Sequence, residues 1–205
     1  MQTKSKPDNR RARLALLALV VLFLSGVVAA WALYISGWRP SATKNYGELV
    51  QPARPLADVA LQDMSGKPAR VSQLRGRWTL VYFGPAECLK PCTDNLHKMR
   101  QLVLAQGREA HRVRRLVVVT DPRATDWLRY TLADYVGTEV WNGPVTAVRE
   151  LAAQFTLPVG GPLDNLHRIY VVDPLGNLMM SYPADAELRR MNKDIGLLLR
   201  TSQVG

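Results

Sequence analysis

The sequence predicts an α/β fold, a mixed β-sheet flanked by helices, behind one N-terminal transmembrane helix. Three observations predict it. Residues 14–36 (LALLALVVLFLSGVVAAWALYIS) contain no charge. WTLVYFG (78–84) and RRLVVVTDP (114–122) are apolar runs rich in β-branched and aromatic residues, the pattern of strands buried on both faces. Between them, Leu96, Met99, Leu102 and Val103 recur at helical spacing and give residues 91–106 one apolar face.

Of 205 residues, 47% are hydrophobic and 21% charged, which excludes a disordered chain. The net charge is +10. Residues 1–13 hold Lys4, Lys6, Arg10, Arg11 and Arg13 against Asp8 alone. Arg112, Arg114 and Arg115 form the densest basic cluster elsewhere, with no aromatic platform or nucleic-acid motif beside them, so no nucleic-acid partner is expected. Residues 14–36 as a helix would span about 34 Å, enough for a bilayer core. Trp31, Tyr34 and Trp38 fit an interfacial aromatic belt, and the basic tail favours a cytoplasmic N-terminus. Ala30-Trp31-Ala32 resembles a signal-peptide cleavage site, but the apolar run exceeds the usual ~7–15 residues, which favours an uncleaved anchor. The predicted organisation is a cytoplasmic tail (1–13), an anchor (14–36), a linker (37–54) and a periplasmic domain (55–205) at a bacterial inner membrane. Cysteines there are free to oxidise.

The elements follow in order. Residues 39–56 are polar with three prolines and show no helical or strand period, hence the linker. Ser65-Gly66 divides two short alternating segments, a hairpin. The strand 78–84 comes next. A helix over 91–106 follows, with Pro91 in its first turn, where a missing N–H costs nothing, and Gly107 past its end. The strand 114–122 ends at Asp121-Pro122. Residues 125–135 and 146–155 read as helices. Residues 167–182 form a hairpin around DPLGN, and 184–200 a closing amphipathic helix. Strand–helix–strand, then hairpin and helix, is the element order of a thioredoxin-like fold with an N-terminal extension.

The chain's two cysteines, Cys88 and Cys92, fall between the first buried strand and its helix. A helix N-terminus favours thiolates there; Lys90 adds to that and Glu87 opposes it. Three readings compete. A structural disulfide would close only a tiny loop and remove little unfolded-state entropy. A redox dithiol suits the position. A soft-metal clamp suits Cu(I) but needs further ligands. A closed zinc site is short of donors, with three histidines and no other cysteine.

YFGPAECLKPCTDNLHKM resembles the copper-site segment of the SCO/SenC family of thioredoxin-fold cytochrome c oxidase assembly factors. Phe83-Gly84, Cys88, Cys92, Leu96 and Met99 carry the match. LVVVTDP, VWNGPVTAVRELAAQF and IYVVDPLGNL extend it over roughly residues 55–200. The resemblance implies one N-terminal membrane anchor and copper, Cu(I) or Cu(II), held by Cys88, Cys92 and a histidine on the loop entering the final hairpin. It implies a partner in oxidase subunit II or another assembly factor, served by copper delivery or cysteine reduction. Two positions depart from the pattern. The usual histidine slot holds Asn165, after Asp164, and His167 lies two residues later. In an extended segment 165 and 167 face the same side, so His167 is either a shifted third ligand or a half-buried strand-edge histidine. After Asp121-Pro122, Thr125 and Asp126 stand where the family has an aspartate four residues on. His97 and His111 read as surface residues, and Met64 and Met99 as core filling; Met179 and Met180, adjacent on a strand, make no methionine cluster. Trp78, Trp127 and Trp141 are core candidates. The alternatives are a metal-free, membrane-tethered thiol–disulfide oxidoreductase and a non-catalytic assembly scaffold. The three-residue spacer, and His167 where a thioredoxin-type enzyme has its proline, count against an ordinary reductase.

Overall fold

The computed structural model describes residues 9–37, 45–121 and 125–202. It separates into two units, Met1–Lys44 and Asn45–Gly205. The first unit contains helix α1 (Asn9–Ile35). Within Arg10–Ile35 an 18-residue window has mean hydropathy 2.6 and none of it is buried. By length and composition this helix is able to cross a bilayer, a property it shares with signal-sequence helices.

In the second unit the described strands form one mixed sheet of eight. They are β1 (Glu48–Pro55), β2 (Leu61–Asp63), β3 (Pro68–Ala69), β4 (Trp78–Gly84), β5 (Val113–Val119), β6 (Thr138–Asn142), β7 (Ile169–Val172) and β8 (Asn177–Tyr182). Their spatial order is β1-β8-β7-β4-β5-β6-β2-β3. β4, β5 and β6 run parallel. β7 lies antiparallel to β4, with Tyr82 opposite Ile169. The helices are α2 (Cys92–Leu104), α3 (Thr125–Leu132), α4 (Val145–Gln154) and α5 (Leu188–Thr201). β4–α2–β5 followed by the β7–β8 hairpin and α5 is the thioredoxin-like arrangement that the sequence predicts.

β4 is buried at every position, because the sheet is covered on both faces. Trp78, Leu80 and Tyr82 enter a core with Leu96, Met99 and Leu102 of α2 and Met191, Ile195 and Leu199 of α5. Val81 and Phe83 enter a second core with Val148, Leu151 and Ala152 of α4. The period-two alternation of a strand sends consecutive side chains to opposite layers, and both layers are apolar.

Two strands differ from the sequence-based expectation. The linker expected over 37–54 gives way to β1 from Glu48. It pairs with β8 along one side only and shifts register between Leu49 and Arg54. An edge strand needs no continuous apolar run and tolerates Pro52 and Pro55, so it looks like linker in sequence. β6 is five residues long, too short to show a period. The Ser65-Gly66 hairpin is present as β2–β3.

Candidate functional site

β4 delivers the chain to the sheet edge, and Cys88 follows in the loop. Cys92 is the first residue of α2. The two sulfurs are joined as a disulfide, with the Cα atoms 5.2 Å apart. Both cysteines are buried, at 2% and 1% exposure, beneath exposed Leu89 and Lys90. A disulfide is common to two of the readings weighed from sequence, the structural bond and the oxidised form of a redox dithiol. Lys90 Nζ lies 3.9 Å from Asp94, an exposed pair one turn along the helix, and such pairs contribute little.

The β4–β7 register carries His167 to the same end of the sheet. The ladder ends with Tyr82 opposite Ile169, and His167 lies two residues before Ile169. His167 is half-buried with φ +46°. Its Nδ1 lies 3.0 Å from the Tyr82 hydroxyl, and its backbone carbonyl accepts a hydrogen bond from Asn95 Nδ2 at 2.8 Å. Asn95 lies on α2, three residues past Cys92, and is 1% exposed. The histidine is therefore fastened both to the strand that leads to the cysteines and to the helix that carries one of them. Burial pushes the Tyr82 phenol up to about 12, opposed by a hydrogen bond from Asn95.

Asn165 is exposed, with φ +55°. Residues 162–165 form a turn, and positive φ at both Asn165 and His167 breaks the extended geometry in which they would share a side. Their relation is set by the turn instead. Asp164 closes it by accepting the Gly161 N–H at 2.7 Å. Among the described residues, no group of three or more His, Cys, Asp or Glu is gathered to hold a metal. Two sulfurs bonded to each other are not thiolate ligands, so Cys88 and Cys92 could serve a soft ion only after reduction.

The remaining candidates lie elsewhere. His97 is exposed on α2. His111 is exposed, its Nδ1 2.8 Å from the Arg108 carbonyl. Met99 and Met180 are core residues, and Met64 packs half-buried against the same core. Trp78 and Trp141 are buried. The Trp127 and Asp126 side chains, and Pro122, lie outside the described residues.

Sequence reasoning missed Tyr82 and Asn95. Asn95 carried a signal: it shares the apolar face of α2 with Cys92, Leu96 and Met99, and a polar residue at a core position implies a specific partner. Tyr82 was masked by the apolar run around it.

The family model of transmembrane-like, thioredoxin-like C-terminal domains matches residues 78–202. A Stutzerimonas stutzeri protein named for copper binding is 28% identical over 143 residues, covering 66% of this chain and 68% of that protein. The human mitochondrial SCO2 homolog is 34% identical over 101 residues, covering 49% of this chain; the chain spans only 38% of that relative's length. The crystal structure of yeast Sco1 with copper bound superposes with a TM-score of 0.64 at 19% identity, covering 75% of this chain and 96% of that one, a likeness of fold. The chain belongs to the transmembrane-like, thioredoxin-like C-terminal domain family, and it is similar to proteins of the SCO family.

Proposed function

We propose that this protein is a membrane-anchored SCO/SenC-type factor of cytochrome c oxidase assembly, delivering copper to, or reducing the cysteines of, the oxidase copper centre. The observation that carries the reading is the Cys88–Cys92 pair at the β4–α2 junction, with His167 hydrogen-bonded to Tyr82 of β4 and to Asn95 of α2, the two elements that flank the pair. The relatives named for copper binding and as SCO2 homologs support it. Oxidase subunit II, or another assembly factor, is the partner. Helix α1 supports anchoring, and the basic residues from Lys4 to Arg13 support a cytoplasmic N-terminus with residues 45–205 in the periplasm.

Two thiolates and a neutral imidazole suit a soft cation such as Cu(I). The disulfide must first take up two electrons and two protons from a thiol reductant, giving two thiols. Copper as cargo then displaces their protons. Cys88, Cys92 and His167 hold it in this reading.

The observed disulfide favours a second reading, metal-free thiol exchange. A thiolate of the reduced pair attacks a disulfide of the partner, forming a mixed disulfide and expelling one partner thiolate. The other cysteine attacks the mixed disulfide, frees the second partner thiolate and closes the Cys88–Cys92 bond. Two electrons pass to the partner, and the bond in this structure is the end state.

The test is Cu(I) loading of the reduced full-length chain in detergent, without oxygen. The expected result is one tightly bound copper per chain in wild type, lost in Cys88→Ser and in Cys92→Ser. A wild-type protein that binds no copper yet reduces a peptide disulfide would replace delivery with exchange. Full assembly function in a Cys88→Ser/Cys92→Ser chain would overturn both readings in favour of a scaffold.

A further inference from the structure

We propose that Tyr82 and Asn95 are positioning residues for His167, holding its imidazole so that Nε2 is the nitrogen presented to copper on Cys88 and Cys92. The proposal rests on the reading that His167 is a ligand.

Three observations carry it. First, Nδ1 stands 3.0 Å from the Tyr82 hydroxyl. That nitrogen is engaged, which leaves Nε2 for a metal. A phenol hydroxyl both donates and accepts. When the ring donates Nδ1–H to the phenol oxygen, the Nε2 lone pair is free. A ligating histidine ordinarily has such a partner on its other nitrogen, which fixes its tautomer and its orientation.

Second, Tyr82 is itself immobilised. It is fully buried in the core beneath α2, and its ring lies against Gly84. A Cβ at Gly84 would stand 2.5 Å from Tyr82 Cε1. The glycine that ends β4 is thus the space into which the ring fits, and it keeps the hydroxyl aimed at the histidine loop.

Third, Asn95 grips the backbone of His167 from the cysteine-bearing helix. It does so where the main chain holds φ +46°, a conformation that a non-glycine residue keeps only with support. A buried asparagine among Leu96, Met99 and Leu102 contributes less packing than an apolar residue would. The carbonyl contact gives it a reason to be there.

The experiment uses the full-length reduced chain in detergent, with Cu(I) affinity read by competition against a colorimetric Cu(I) chelator. Ring-nitrogen NMR of the Cu(I)-loaded protein reads the His167 tautomer. Wild type should show metal-bound Nε2 and protonated Nδ1. Tyr82→Phe, which keeps the ring packing, should weaken Cu(I) binding about 10- to 100-fold and lose the ordered Nδ1–H signal. Gly84→Ala, which displaces the Tyr82 ring, should act in the same direction. The tautomer measurement is made on wild type and needs no variant to fold; copper bound through Nδ1 overturns the proposal. Lowered affinity in His167→Ala with none in Tyr82→Phe overturns the positioning role and leaves the ligand standing. Unchanged affinity in His167→Ala removes the ligand, and the positioning role with it.

Discussion

Tyr170 and Tyr82 are both buried tyrosines of the central sheet, and they differ in one atom's company. The Tyr82 hydroxyl meets His167. The Tyr170 hydroxyl has no hydrogen-bond partner among the described residues. Its ring is packed edge-on against Phe83 and Phe155, with centroids 6.1 and 5.3 Å away. An unpaired buried hydroxyl costs free energy that an aromatic of the same shape avoids. Tyr170→Phe should therefore raise stability by about 1 kcal/mol, read as a higher denaturant midpoint with an unchanged slope. At this scale the cysteine pair was legible because strand, turn and helix are local and their spacing survives in sequence. His167 was legible as a candidate. Its partners were not: Tyr82 lies 85 residues away and Asn95 lies 72 away, and only the fold joins them.

Among the elements, the entrance to β1 is held by a buried carboxylate. Asp194, on the buried face of α5, is 4% exposed. It accepts N–H bonds from Tyr46 at 2.9 Å and Gly47 at 2.8 Å, and the Tyr182 hydroxyl donates to it at 3.2 Å. These contacts fix the chain at the entrance to β1. Asp194→Ala would leave three donors without their acceptor, and each such loss costs about 1–3 kcal/mol less whatever water restores. The expected loss is about 2–4 kcal/mol in total, measured by urea unfolding. Hydrogen exchange should increase at Tyr46 and Gly47 before it does in β4. Nothing in residues 45–55 announced this strand. Its pairing instructions sit in β8 and α5, more than a hundred residues downstream, whereas β4, β5 and α2 carry theirs in their own apolar patterns.

Across the whole second unit, three buried phenols link stability to pH. Burial raises Tyr82 and Tyr170 to about 12. Tyr182 is raised further, by burial first and then by Asp194. An unfolded chain releases these protons near pH 10. Between about pH 10 and 12 the folded state binds more protons than the unfolded one, so stability falls as pH rises through that window. Below it, these groups have no effect on the pH dependence. Thermal midpoints should decline as pH rises above about 10. The order strand–helix–strand, hairpin, helix was readable because each element carries its own period, and it put the cysteine pair at the β4–α2 junction, where the structure has it. The full eight-strand sheet was not readable, because its outer strands are defined by their neighbours.

The Glu48–Arg168 ion pair joins the first residue of β1 to the residue after His167, and the buried guanidinium also reaches Ser181 at 2.9 Å. In mechanical terms, a pull on the chain at Asn45 would load the Asp194 clamp, the β1–β8 ladder and this pair together. Arg168 adjoins His167 in the chain, so part of that load would arrive at the candidate site.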